Sequence, residues 1–332
     1  MRERGAFLGA DLLRRLLDVI PPASGAVVMG TGIVSITLLL DGRHVLSDVL
    51  LVLDAIFWLA LAVLLPARAL RDRRRFAVDL RHPTALTSIA GTGVLGTRLT
   101  LAGWDWAGAA LLVIALLVWL GLVPHVLRHW QTPTIGASFI LTVATESLAL
   151  LAATLADADR VAWLEYAALA PFVLALAFYA FVLARFDFRQ LAVGIGDHWV
   201  TGGALAISTV TIGRIALAAE RTGALSGGLG AIKTVSLVLW CLTMCWLPPL
   251  LVCEALYPRL GYSVRRWSTV FPVGMYAACS FVVGAVTSTG GITQFARVWV
   301  WVAVAVWLAV FAAMVARAPT LAAPRADSAP GQ

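Results

Sequence analysis

The sequence predicts an all-α integral membrane protein, with ten transmembrane helices arranged as five helical hairpins around a central pore, odd-numbered helices inside and even-numbered helices outside. Three observations predict it. Of 332 residues, 61% are hydrophobic and 13% charged, and the mean hydropathy of +0.89 excludes a soluble globular domain. Apolar runs of about 20–25 residues, the length that crosses a bilayer, recur between short polar loops. The composition of those runs alternates: the odd-numbered ones hold 12 glycines and 25 serines or threonines, the even-numbered ones 2 and 5.

The runs lie at 21–40, 47–70, 83–102, 106–127, 135–156, 161–184, 198–219, 231–255, 267–289 and 292–316. Before them, residues 1–20 read as a cytoplasmic segment in which Leu12, Leu13, Leu16, Leu17 and Ile20 share one face of an interfacial helix. After them, residues 317–332 read as a disordered cytoplasmic tail rich in Ala and Pro. The first run is too long for the apolar core of a cleavable signal. Its middle is Met29-Gly30-Thr31-Gly32-Ile33-Val34-Ser35, a composition that suits contact with other helices or a pathway better than contact with lipid.

Orientation follows from arginine. The N-terminal segment, the C-terminus and the loops after even runs hold 18 arginines, against Arg43, Arg160 and Arg221 in the opposite loops. That bias places both termini in the cytoplasm, with an even number of crossings in a cell membrane (plasma or inner). The formal charge of +7 is thereby an orientation signal, and no nucleic-acid partner is expected.

Gly permits close helix approach and hydroxyls can face water or solute, so the odd runs form the expected inner wall, while the Leu, Val, Ala and Trp of the even runs suit lipid. An arrangement of two inverted five-helix repeats would exchange these roles between halves. The alternation instead keeps its phase through all ten runs.

Several motifs carry little. Gly91-Thr92-Gly93-Val94-Leu95-Gly96 matches a dinucleotide fingerprint but lies within a membrane run. His125 and His129 have metal spacing without a third ligand, so no metal or cofactor is expected. Cys241, Cys245, Cys253 and Cys279 read as free buried thiols.

Intramembrane charge says more, because a charge near the bilayer centre is costly. Arg98 and Arg214 sit inside the outer ends of the third and seventh runs, either as a basic collar that concentrates anions or snorkelling or paired with an acid. Glu146, mid-way along the fifth run, is expected to clamp an arginine; a protonated, proton-coupling carboxyl is the other reading. In the ninth run, Pro272 kinks the helix beside Phe271, whose ring could plug a narrow pathway or simply pack in the core.

Pro22 through Ser35, with Met29-Gly30-Thr31-Gly32, together with Trp267-Ser268-Thr269-Val270-Phe271-Pro272-Val273-Gly274, resembles the tellurite-resistance/dicarboxylate transporter family, also called the voltage-dependent anion channel family. Its members include yeast malate permeases, fungal sulfite efflux pumps and the slow anion channels of plant guard cells. The resemblance runs from about residue 15 to 317. It implies a homotrimer in which each chain has its own pore, with the aromatic beside the proline, here Phe271, as the gate. It does not assign roles to Glu146, Arg98 or Arg214.

The expected function is passage of small inorganic or organic anions across the bilayer, past Gly30, Thr31, Gly32, Ser35, Thr92, Thr142 and Ser208, with Phe271 and Pro272 holding them up. Two alternatives stand beside it. One is a proton-coupled transporter of metabolites or drugs built as two five-helix repeats. The other is an intramembrane lipid-modifying enzyme, which would need Asp54, Glu146 and Glu165 to converge at one site.

Overall fold

The computed structural model describes residues 20–259 and 261–322, and over these the chain is helical, with no strand. The main helices are α1 (Gly25–Leu40), α2 (His44–Arg71), α3 (Thr87–Leu101), α4 (Asp105–Arg128), α5 (Ile140–Asp159), α6 (Ala162–Leu183), α7 (Val200–Thr222), α8 (Leu229–Leu256), α9 (Trp267–Val286) and α10 (Gly290–Ala322). Among the described residues, eight helices are long and apolar enough to cross a membrane. The expected runs at 21–40 and 83–102 give the two shorter helices, α1 of 16 residues and α3 of 15.

The chain enters both through a tighter turn. Each odd-numbered helix begins with a 3-10 turn: Pro22–Ser24, Pro83–Leu86, Gly136–Phe139, Asp197–Trp199 and Val264–Arg266. Pro22 and Pro83 open theirs, where a missing N–H costs no hydrogen bond and φ is already set. At the far end, the turn into each following helix contains a left-handed residue: Gly42, Gly103, Arg160, Gly223 and Ser288, with φ of 78°, 82°, 55°, 76° and 54°. Glycine takes that conformation without strain; Arg160 and Ser288 do not.

Packing follows the compositional alternation. Each odd helix packs on the even helix after it, and the odd helices pack on one another in the cycle α1, α3, α5, α7, α9 and back to α1. In the apolar stretches of α5, α7 and α9, 94–100% of residues are buried, against 11–28% in α2, α4, α6, α8 and α10. α1 is buried without a break from Val28 to Leu38, and α3 from Ile89 to Arg98. The Gly-rich helices are therefore those with neighbours on every side, and glycine is what admits them. Gly93, for example, lets α3 approach α5 so closely that an added Cβ would lie 2.7 Å from Ser147 Cβ.

Some details differ from expectation. The last helix continues beyond residue 316 to Ala322, so the first residues of the expected tail are helical. The rest of that tail, and nearly all of the expected interfacial helix at residues 1–20, lie outside the described residues. After α2 the chain folds into an unanticipated short helix, Arg73–Asp79, capped by Asp72, which accepts the N–H of Arg75 at 3.0 Å, and tied back by an ion pair between Arg68 and Asp79. Of the four free cysteines only Cys279 is buried; Cys241 and Cys245 lie on the exposed side of α8, whose apolar environment would be lipid.

Candidate functional site

A buried indole N–H needs an acceptor, and here those acceptors mark which way the odd helices face. Trp307 of α10 donates to Thr31 Oγ1 at 3.1 Å, Trp58 of α2 to Thr92 Oγ1 at 2.9 Å, and Trp119 of α4 to Thr145 Oγ1 at 3.0 Å. Trp299 of α10 reaches the carbonyl of Val273 on α9 at 3.0 Å. Thr31, Thr92, Thr145 and Val273 hold one equivalent position, nine residues after the first residue of their 3-10 turns. That position points outward, toward an outer helix.

With 3.6 residues per turn, the residue two places earlier points the opposite way, toward the axis of the five-helix cycle. Seven residues after the start of each turn stand Met29, Ala90, Val143, Ala204 and Phe271. Phe271 is thus the aromatic in a layer whose other members are Met29, Val143 and two alanines, and it is fully buried. One heptad further along lie Ile36, Thr97, Leu150, Thr211 and Ala278. The first layer is wholly apolar, and the second adds the hydroxyls of Thr97 and Thr211.

The setting of Phe271 is built by its neighbours. Pro272 lies against Gly203 of α7, where an added Cβ would fall 2.7 Å from the proline Cγ. Gly274 receives Ile33 of α1 in the same way, and Gly30 receives Trp267 and Val270. The flanks of α9 are therefore held by α1 and α7 and its outer side by tryptophans, Trp240 donating to Ser280 Oγ at 2.9 Å. The side that remains carries Phe271.

Most of the hydroxyls and glycines expected to touch a solute do other work. Thr31 and Thr92 are indole acceptors. Ser35 donates to the carbonyl of Ser47 on α2 at 2.7 Å. Gly32 makes room for the carboxyl of Asp54, and Gly30 for Trp267. Ser208 donates to the carbonyl of Ala204 on its own helix and faces Glu146. Thr142, one turn before Glu146, has a buried hydroxyl with no hydrogen-bond partner. The axis-facing residues Met29, Ala90, Val143 and Ala204 carry no polar signal; the spacing from the Pro- or Gly-led turn is what could have found them.

The two arginines also differ. Arg98 is almost fully buried, with Nε donating to Ser35 Oγ at 3.0 Å and Ser47 Oγ at 3.1 Å and Nη2 bound to Asp48 Oδ1 at 2.6 Å. It joins α3 to α1 and α2 and its charge is matched. Arg214 has a looser partner, Asp157 Oδ2 at 4.0 Å, and Asp157 is shared with Arg221 at 3.1 Å. Only Arg214 keeps the character of a collar charge.

Glu146 does not clamp an arginine. It is fully buried, faces the hydroxyls of Ser208 and Thr211 on α7, and forms no ion pair among the described residues. The acidic groups an enzyme would need are dispersed: Asp54 lies against α1, Glu146 against α7, and Glu165 accepts the hydroxyl of Thr222. Among the described residues there is also no cluster of three or more His, Cys, Asp or Glu that could hold a metal ion.

At the arginine-rich end, Glu254 of α8 gathers the chain that leads into α9. It accepts from the Trp199 indole at 3.1 Å, Arg259 at 3.2 Å and Arg266 at 3.0 Å, and His198 Nε2 lies 3.5 Å away. Arg266 immediately precedes Trp267, so this network sets the start of the helix that bears Phe271.

Comparison with known proteins adds two findings. The family described as voltage-dependent anion channel matches residues 19–315, nearly the whole chain. Two relatives in Mycobacterium tuberculosis, both named as uncharacterized membrane proteins, from strains CDC 1551 / Oshkosh and ATCC 25618 / H37Rv, are each 31% identical over 124 residues. The match covers 36% of this chain and 62% of each relative.

Proposed function

Because this chain belongs to the voltage-dependent anion channel family, we propose that it carries small anions along the axis of α1, α3, α5, α7 and α9, with Phe271 as the gate. In this reading all ten helices cross a cell membrane as five hairpins, both termini are cytoplasmic, and the chain assembles as a homotrimer with one pore in each protomer. The solutes are anions of the size of malate, sulfite, tellurite-type oxyanions, nitrate or chloride.

The observation that carries the proposal is the place of Phe271. Where the equivalent positions of α3 and α7 present only Ala90 and Ala204, α9 presents a phenyl ring. A ring there excludes water and ions by closing an already apolar constriction. Arg214 raises the local anion concentration at the outer end, where its charge is only loosely matched. The layers between offer weak contacts, which suits rapid exit over tight binding.

The test is anion flux into liposomes with a panel of chloride, nitrate, sulfite, malate and tellurite, comparing the native protein with Phe271→Ala. A larger flux in the variant is expected. Unchanged flux in a folded Phe271→Ala protein would remove Phe271 from the mechanism.

A further inference from the structure

A cavity of about 770 Å³ opens on the outer wall, between α2 and α4, well away from the five-helix axis. Leu61 and Leu65 line one side, Val118 and Gly121 the other, and Phe76 and Leu80, from the Arg73–Asp79 helix and the residue after it, close the arginine-rich end. The floor is the backs of α1 and α3, which Gly25 and Gly91 bring together, since a Cβ on either would meet the other helix. Around Gly121 there is open space: an added Cβ would meet no atom within 4 Å. α2 and α4 are among the least buried helices, so this slot faces the surrounding hydrocarbon.

Beside its closed end stand Arg73, Arg74 and Arg75, all exposed, on a helix that the pair between Arg68 and Asp79 holds against the wall. The apolar side of this short helix forms part of the cavity lining, and its arginines follow the end of α2, where a helix long enough to cross a bilayer would reach the headgroups. A narrow apolar slot, open to hydrocarbon along its length and cationic at one end, has the shape and charge of a phospholipid with a negative headgroup. We infer that this slot binds an anionic phospholipid, one acyl chain lying between α2 and α4 and the phosphate on Arg73, Arg74 and Arg75. A second copy of the chain fits less well, since the three exposed arginines at one end of an apolar slot match a phosphate joined to an acyl chain.

The test is native mass spectrometry of the detergent-purified full chain titrated with phosphatidylglycerol or phosphatidylcholine, with melting temperatures confirming that every variant is folded. Wild type is expected to retain phosphatidylglycerol at least tenfold more tightly than phosphatidylcholine. Gly121→Leu, whose Cβ starts in open space at the lining of the slot, should lose binding of both lipids. The triple change Arg73→Gln, Arg74→Gln and Arg75→Gln should lose the preference while keeping weak binding of both. Equal retention of the two lipids by wild type, or wild-type retention by both variants, overturns the inference. So does a Gly121→Leu protein that keeps its lipid and changes its oligomeric mass, which would assign the slot to a protein contact. Anion flux is not the readout, so this test stands apart from that of Phe271.

Discussion

The indole of Trp307, midway along the last helix, donates to the hydroxyl of Thr31 in the first, 276 residues away in sequence and 3.1 Å away in space. This contact ties the last outer helix to the first inner one. Thr31→Val keeps the shape and removes the acceptor, leaving a buried N–H unpaired, and should lower stability by about 1 kcal/mol. Because Thr31 faces an outer helix, the anion preference in liposome flux should not change. Thermal unfolding in detergent and the flux panel measure the two effects separately.

The equivalence of Phe271, Ala90 and Ala204 predicts that the obstruction is transferable. If Phe271→Ala raises flux, then adding Ala90→Phe should return it toward the native level, since the ring re-enters the same layer from α3. Liposome flux of the double variant checks this, with Thr92→Phe, two residues away on the outward face, as the control that should not restore restriction.

Arg98 and Arg214 should separate structure from conduction. Arg98→Met removes the bonds that tie α3 to Ser35, Ser47 and Asp48, though the two serines keep their bonds to each other's carbonyls, and is expected to cost about 1–2 kcal/mol. Its effect on flux in surviving folded protein should be small. Arg214→Gln should cost little stability and reduce anion flux about fivefold at low ionic strength, with the difference shrinking as salt is added.

Glu146→Gln keeps the shape of a fully buried side chain that has no cationic partner, and an amide can bond to Ser208 and Thr211. The melting temperature should therefore be unchanged or higher. Had Glu146 clamped an arginine, the same change would have stranded a buried charge and lowered stability by about 3–5 kcal/mol. Thermal unfolding of Glu146→Gln distinguishes the two.

Arg160 and Ser288 occupy left-handed turns that Gly42, Gly103 and Gly223 occupy elsewhere. Both side chains are exposed. Arg160→Gly and Ser288→Gly each relieve backbone strain of about 1–2 kcal/mol, partly offset by the greater freedom of glycine in the unfolded chain. A net gain of about 0.5–1 kcal/mol per substitution is expected in denaturant unfolding.

Much of the fold was legible because membrane insertion imposes itself on composition. Lipid-facing helices must be apolar throughout, and helices packed on every side need small residues, so the odd and even runs differ before any contact is known. The ninth run was marked in the sequence by Phe271 beside Pro272, and α9 runs through that proline without a break from Trp267 to Val286.

The direction in which each side chain points was not legible. Thr31, Ser35 and Thr92 are polar residues in inner helices, and polarity alone suggested contact with solute. The structure turns them toward Trp307, Ser47 and Trp58, where they pair with polar groups that the outer helices bring inward. Likewise Arg98 and Arg214 look alike in sequence, yet only Arg98 has Asp48 within reach.

What the sequence determined by itself is which helices are surrounded and which meet lipid, because that division is a matter of transfer free energy summed over each run. What the tertiary structure decided is which face of each surrounded helix looks to the axis. Facing depends on the rotation of every helix about its own axis, and that rotation is set by a few long-range pairings, Trp307 with Thr31 and Pro272 with Gly203 among them, which no local pattern contains.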